Sequence, residues 1–269
     1  YSEAAIREAA RALAGWGIDD RGTFRKENRY HDEGEKTILG QTGAWDGHDL
    51  LRILLQQPAT ADRIAWRLCK SFLGEQVVNE QSLNQLADGI RGTDLHIGNA
   101  VRTILRSEYF FAEENIGSRV SSPVEFIATS VRALGSTRPS TLRLVEWTKE
   151  LGQELFYPPN VGGWSGGRNW LSSRYIVGRA NFASALCDGR ISKTHAPPDI
   201  ARQIQSHTGR DVTLDLAIDY LSELMLGSRL PPELCKRIES TLGDRPEKLE
   251  QKIQLAVALI LSTPQAQQH

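Results

Sequence analysis

The chain has 269 residues, with 40% apolar, 24% charged, and 32 basic residues against 33 acidic ones for a net charge of −1. That length accommodates one large domain or two closely packed ones, with a sizeable buried core. The balanced charge excludes a surface basic throughout, of the kind that binds nucleic acid or anionic membranes, and leaves room only for a local patch. No apolar run approaches the roughly 18 residues that a membrane-spanning helix needs. The expectation is a soluble globular protein.

In chain order, Ser2 is a helix cap for Glu3–Leu13, which Gly15 stops. Asp46 or Gly47 opens a short helix through Leu50, Ile53 and Leu55, and Pro58 opens a second over Ala59–Phe72. Ser82 leads into Leu83–Ile90, and Ile97 into Val101, Ile104 and Leu105. Ser122-Pro123-Val124-Glu125 is the sharpest local signal, an N-cap serine, a proline at the first helical position and a glutamate that closes a capping box. Helices over Thr141–Leu155 and Trp170–Leu186 follow, and then four more, over Asp199–His207, from Thr213 to Leu226, from Pro231-Pro232 to Leu242 and from Pro246 to Leu261. Alternating strand patterns are almost absent. The predicted fold is all-α, a bundle of about ten to twelve helices in a single compact domain over 1–269, with a possible boundary near 190 that sets off 191–269 as a helical subdomain.

A weak internal repeat runs through this pattern. Residues 68–112 and 221–265 share the order helix, Leu-Gly stop, polar loop, helix, turn, and a helix ending in Ile-Leu-x-Ser or Ile-Leu-x-Thr. Cys69, Cys187 and Cys235 lie far apart beside leucines, which predicts buried thiols acting as small hydrophobes. One disulfide with a thiol left over is the alternative. The first residue is Tyr1 rather than Met, which reads as a cut or processed chain.

Two segments interrupt the helices. Residues 16–49 form a long irregular stretch, and Gly152–Trp170 is a crossover rich in Gly, Pro and Trp. Loops held by a rigid scaffold are where binding residues concentrate. His31, Asp32, Glu33 and Glu35 place an imidazole and three carboxylates within five residues, with Asp46, His48 and Asp49 a short way on. Imidazole with carboxylates suits Zn²⁺ or Mn²⁺, and carboxylates alone suit harder divalent ions. On this pattern His31, Asp32 and Glu35 are candidate catalytic residues, and with Asp46 and His48 a candidate metal set. The competing expectation is that Asp32 and Glu35 pair with Arg25, Lys26 or Lys36 while Asp46 or Asp49 caps a helix. No Gly-x-Ser-x-Gly elbow or P-loop is present.

The crossover offers a different chemistry. Trp164 and Trp170, with Tyr157, Gln153, Asn160 and Arg168, make a stacking and hydrogen-bonding set suited to sugar rings or peptides. The competing expectation is that both indoles plug the core. Gln153, Asn160, Trp164, Arg168 and Trp170, with Lys36, are the candidate binding residues. The His31–Lys36 and Gln153–Trp170 segments are expected to pack on each other, since irregular backbone must find hydrogen-bond partners somewhere.

These motifs carry a resemblance. His31-Asp32-Glu33-Gly34-Glu35-Lys36 with Leu39-Gly40-Gln41-Thr42-Gly43, then Gln56-Gln57-Pro58-Ala59-Thr60-Ala61, Ser122-Pro123-Val124-Glu125, and Gly152-Gln153 with Pro158-Pro159-Asn160-Val161-Gly162-Gly163-Trp164 occur in the order of the bacterial domain-of-unknown-function 1800 family. The chain resembles the C-terminal portion of such a protein over roughly Thr23 to Ala185, and less clearly over 190–269. The resemblance implies no transferable catalytic residue. It implies an exported bacterial protein, whose genes often neighbour those of a family similar to sulfatases and alkaline phosphatases. The resulting expectation is a non-enzymatic binding or scaffold module for a glycan or protein partner, that neighbour family among the candidates, with no nucleic acid and no membrane-spanning segment. A metal-dependent hydrolase using the His31 loop is the alternative.

Overall fold

The computed structural model describes residues 2–74, 78–135, 139–193 and 195–268. Thirteen α-helices and four short strands are formed among them, so the chain is all-α as expected. It divides into two compact units, Tyr1–Phe72 with Val78–Phe110, and Leu73–Val77 with Phe111–His269.

In the first unit, α1 (Glu3–Ala12) starts where the Ser2 hydroxyl accepts the Ala5 N–H, 3.2 Å away. The stretch expected to be irregular is organised into two hairpins. Strands β1 (Trp16–Ile18) and β2 (Phe24–Lys26) pair antiparallel with Ile18 opposite Phe24, and Asp19 closes their turn by accepting the N–H groups of Arg21 and Thr23. Strands β3 (Lys36–Ile38) and β4 (Gln41–Gly43) meet across Leu39-Gly40, both at positive φ, the two-residue turn whose twist matches the paired strands. Three-residue strands carry too few alternations to be read from sequence.

Helices α2 (Gly47–Leu55), α3 (Pro58–Phe72), α4 (Glu80–Gly92), α5 (Ile97–Leu105) and α6 (Glu108–Phe111) follow. Helix α4 begins three residues earlier than Ser82 predicts, because Asn79 is the cap and accepts the Ser82 N–H at 2.8 Å. Short α6 has no counterpart in the predicted set. Ala12, Ile38, Leu50 and Ile53 form one core where β3 meets α1 and α2. Ala61, Ala65, Ala87, Ile90 and Ala100 form the other, where α3 packs on α4 and α5.

The second unit contains α7 (Pro123–Ala133), α8 (Thr141–Glu150), α9 (Ser173–Cys187), α10 (Ile200–Thr208), α11 (Leu214–Leu226), α12 (Pro232–Gly243) and α13 (Leu249–Leu261). Helix α13 is its centre, in contact with α9, α10, α11 and α12. Phe182, Leu186, Ile204, Ile218, Leu221, Ala256, Val257 and Ile260 pack there without exposure. Phe182 also meets the rings of Phe126 and Trp147 edge-on, at 5.9 and 5.5 Å. Cys69 and Cys187 are buried, Cys235 is half-buried, and all three are free thiols. Burial pushes the Cys187 thiol up to about 12.

The repeat expected from sequence has a structural counterpart in element order. Residues 68–112 run through the end of α3, then α4, α5 and α6, and residues 221–265 through the end of α11, then α12, α13 and a 3-10 turn. In each copy the first helix is followed by a glycine at positive φ, Gly74 or Gly227, and the three helices pack together.

Candidate functional site

In the first unit the His31–Lys36 segment is drawn tight by its own charges. Arg11 projects from the last turn of α1 and grips Asp32 with two bonds, Nε to Oδ2 at 2.7 Å and Nη2 to Oδ1 at 3.1 Å. Its Nη1 donates to both Glu8 oxygens and to the Glu35 carbonyl. Asp32 also accepts the Gly34 N–H, and Glu8 that of Thr37. The Arg11 guanidinium, then the Gly34 N–H, hold the Asp32 carboxyl down at about 2.

Lys36 is 1% exposed, and its ammonium donates to the carbonyls of Asp32 at 2.5 Å and Gly34 at 2.9 Å. It closes the loop from within. The bland expectation holds for Asp32 with a different partner, since Arg11 rather than Arg25, Lys26 or Lys36 supplies the cation. Glu35 is exposed. His31 Nδ1 lies 3.1 Å from the Ala14 carbonyl, which only accepts, so that nitrogen carries the ring proton.

Asp46 is the N-cap of α2. Its carboxylate accepts the N–H groups of His48 and Asp49, and Asp49 returns the bond to the Asp46 N–H. Lys26 Nζ donates to Asp46 at 2.8 Å and, with the Asp49 and His48 N–H groups, holds that carboxyl at about 2. The exposed His48 ring leans on Trp16, 5.1 Å between centroids. Asp32 and Asp46 thus belong to separate ion pairs. Among the described residues no group of three or more His, Cys, Asp or Glu side chains is placed to hold a metal ion.

In the second unit the crossover between α8 and α9 is anchored at both ends and exposed in the middle. Gly152 has φ +96° and lies against the Tyr175 ring, where an added Cβ would come within 2.5 Å. Gln153 follows, its side-chain oxygen accepting the Val124 N–H in the first turn of α7 at 3.1 Å. At the other end Trp170, in a 3-10 turn over Gly167–Leu171, is 6% exposed, so it packs rather than presents its ring. Trp164 is half-buried and Arg168 exposed.

Between these anchors Phe156 is 91% exposed, Tyr157 73% and Val161 110% of its reference value. Phe156 has φ +66°, a left-handed conformation unusual for a bulky side chain. Asn160 accepts the Gly162 N–H at 2.8 Å, and its carbonyl accepts that of Gly163, closing the turn. Sequence reasoning singles out Tyr157 but misses Phe156 and Val161. Their signal is present all the same, as apolar residues flanking Pro158-Pro159 in a segment without periodicity.

Arg179 escapes sequence reasoning too. It is 1% exposed inside α9, donates to the Ser121 carbonyl at 2.6 Å and to Gln267 Oε1 at 3.1 Å, and lies 4.8 Å above the Phe126 ring. Burial lowers its pKa to about 10. A cavity of 310 Å³ opens beside Ser121, Phe126, Met225 and Leu261. Glu125 at its edge already bonds to Ser122 and Arg119.

The two motif segments lie in different units. The Asp32 and Lys36 side chains bond to neighbouring amides and carbonyls of the first unit, and that of Gln153 to α7 in the second. Fold and segments together define an all-α protein that carries structured loops on helical units. The chain belongs to the DUF1800 family, described as a protein of unknown function, which it matches over residues 1–268. The match therefore takes in residues 190–268 as well as the motif-bearing region, essentially the whole chain. No curated protein and no solved structure matches the chain.

Proposed function

We propose that this chain is a non-enzymatic binding or scaffold module of an exported bacterial protein, and that it meets its partner through the 156–161 loop. The exposure of Phe156, Tyr157 and Val161 carries the reading. Apolar side chains clustered on a loop tip cost solubility and usually mark an interaction site. The engagement of Asp32 and Asp46 in ion pairs favours a structural role for the His31 loop over hydrolysis.

The test compares the purified chain with the triple variant Phe156→Ser, Tyr157→Ser, Val161→Ser on a glycan array, on insoluble envelope polymers and on lipid vesicles. Binding that the triple variant loses supports the reading. Binding that the variant keeps in full would overturn it. So would metal-dependent turnover of phosphate or sulfate esters, after titration with Zn²⁺, Mn²⁺ and Ca²⁺, that Asp32→Asn abolishes.

A further inference from the structure

The composition around the loop points to the kind of partner. Residues 155–187 contain no Asp or Glu but three arginines, Arg168, Arg174 and Arg179. Arg179 is buried, whereas Arg168 and Arg174 are exposed. Glu154, at the edge of this stretch, is paired with Lys149 at 2.7 Å. The contact of Gly152 with Tyr175 brings the first turn of α9 beside the loop entry, and that turn adds exposed Ile176 and Val177 next to Arg174. A chain of net charge −1 thus gathers a locally basic and apolar surface here.

We propose that the 156–161 loop is a shallow anchor that inserts Phe156, Tyr157 and Val161 into an anionic lipid surface, with Arg168 and Arg174 at the level of the headgroups. This deepens the reading of the loop as the contact element and rests on it. Aromatic rings and arginines are the side chains that partition to the interface of a bilayer. Anionic headgroups add an attraction for each nearby cation that fades within a Debye length.

Size favours lipid over protein. Three tip side chains offer on the order of 400 Å² between them, about half of what one partner buries in a standard protein interface. A fluid phase closes around protruding side chains without a preformed complement. The loop is also held in advance by Pro158-Pro159 and the Asn160–Gly162 bond, so little conformational freedom is lost on insertion.

The experiment is co-sedimentation of the full chain with vesicles of phosphatidylcholine alone and of phosphatidylcholine with about 30% phosphatidylglycerol. The expected result is binding to the anionic vesicles that falls about tenfold in the triple serine variant. Arg168→Gln with Arg174→Gln, or about 0.5 M salt, should weaken it by a similar factor. A Phe156→Trp variant should show a blue-shifted difference emission on anionic vesicles alone. All these side chains are exposed, and circular dichroism and the melting temperature should match the parent.

Equal binding to neutral and anionic vesicles, binding indifferent to the triple variant, or no vesicle binding would overturn the anchor. Loop-dependent binding to a glycan or polymer without vesicle binding would overturn it and leave the binding-module reading standing. Indifference to the loop on every surface would end both.

Discussion

Lys36 and Asp32 show how a motif that looks like chemistry can be a clasp. The ammonium of Lys36 is buried, and burial of a charge is tolerable only where it is bonded, here by two carbonyls of the loop it closes. Lys36→Ala should therefore lower stability by about 2 kcal/mol in urea denaturation, since the Asp32 and Gly34 carbonyls lose their donor and a buried side chain is removed.

The acid response follows from the carboxylates. Asp32 and Asp46 titrate at about 2 in the folded chain against about 3.9 unfolded, so the stability they contribute is complete above pH ~5 and is lost as the pH falls through about 2. Asp32→Asn should shrink the drop in urea midpoint across that window. An unchanged drop would show that Asp32 and Arg11 are not coupled.

His195 works with the same direction of pH from a different cause. Both its ring nitrogens are buried, and desolvation, opposed in part by the Gly189 backbone, lowers its pKa from the ordinary value near 6.5. The neutral ring is favoured in the folded state, so its stability is present above pH ~6.5 and declines as the pH falls through that value toward the lowered one. A His195→Phe variant should flatten the decline between about pH 7 and pH 5. Equal slopes in the two proteins would remove His195 as its source.

At the scale of elements, helix caps are the most legible feature. Ser122-Pro123-Val124-Glu125 forms the capping box its spacing predicts, with Ser122 Oγ accepting the Glu125 N–H and Glu125 accepting that of Ser122. Cap chemistry is local, so four residues suffice to state it. The 152–172 crossover is less legible. Its helix ends fall at Glu150 and Ser173 rather than Leu155 and Trp170, because Gly152 turns at φ +96° against Tyr175 and Trp170 packs in a 3-10 turn. Gly152→Ala should strain that backbone and collide with the Tyr175 ring. The expected result is a loss of about 2 kcal/mol or more in stability, read from thermal unfolding.

At the scale of the molecule, the family match and the helical content agree with motifs spread along the chain, and the chain divides into two units. The boundary falls where contacts thin out, between residues such as Phe110 and Phe111 that look alike in sequence. The core of the second unit is the place for a stability test. Leu221 is fully buried between α11 and α13, so Leu221→Ala should cost about 3 kcal/mol through the cavity it leaves.

Helix periodicity, proline and glycine punctuation, and capping residues are properties of neighbours in the chain, and on their own they determine the all-α class and most helix starts. Which polar groups meet is a property of space. Arg11 finds Asp32 across 21 residues and Arg179 finds Gln267 across 88, pairings that no local pattern announces. Exposure is spatial too. Trp170 and Phe156 are both aromatic residues in one glycine- and proline-rich segment, yet packing buries the first and leaves the second in solvent. Only the fold distinguishes them, because burial depends on what the rest of the chain brings to each side chain.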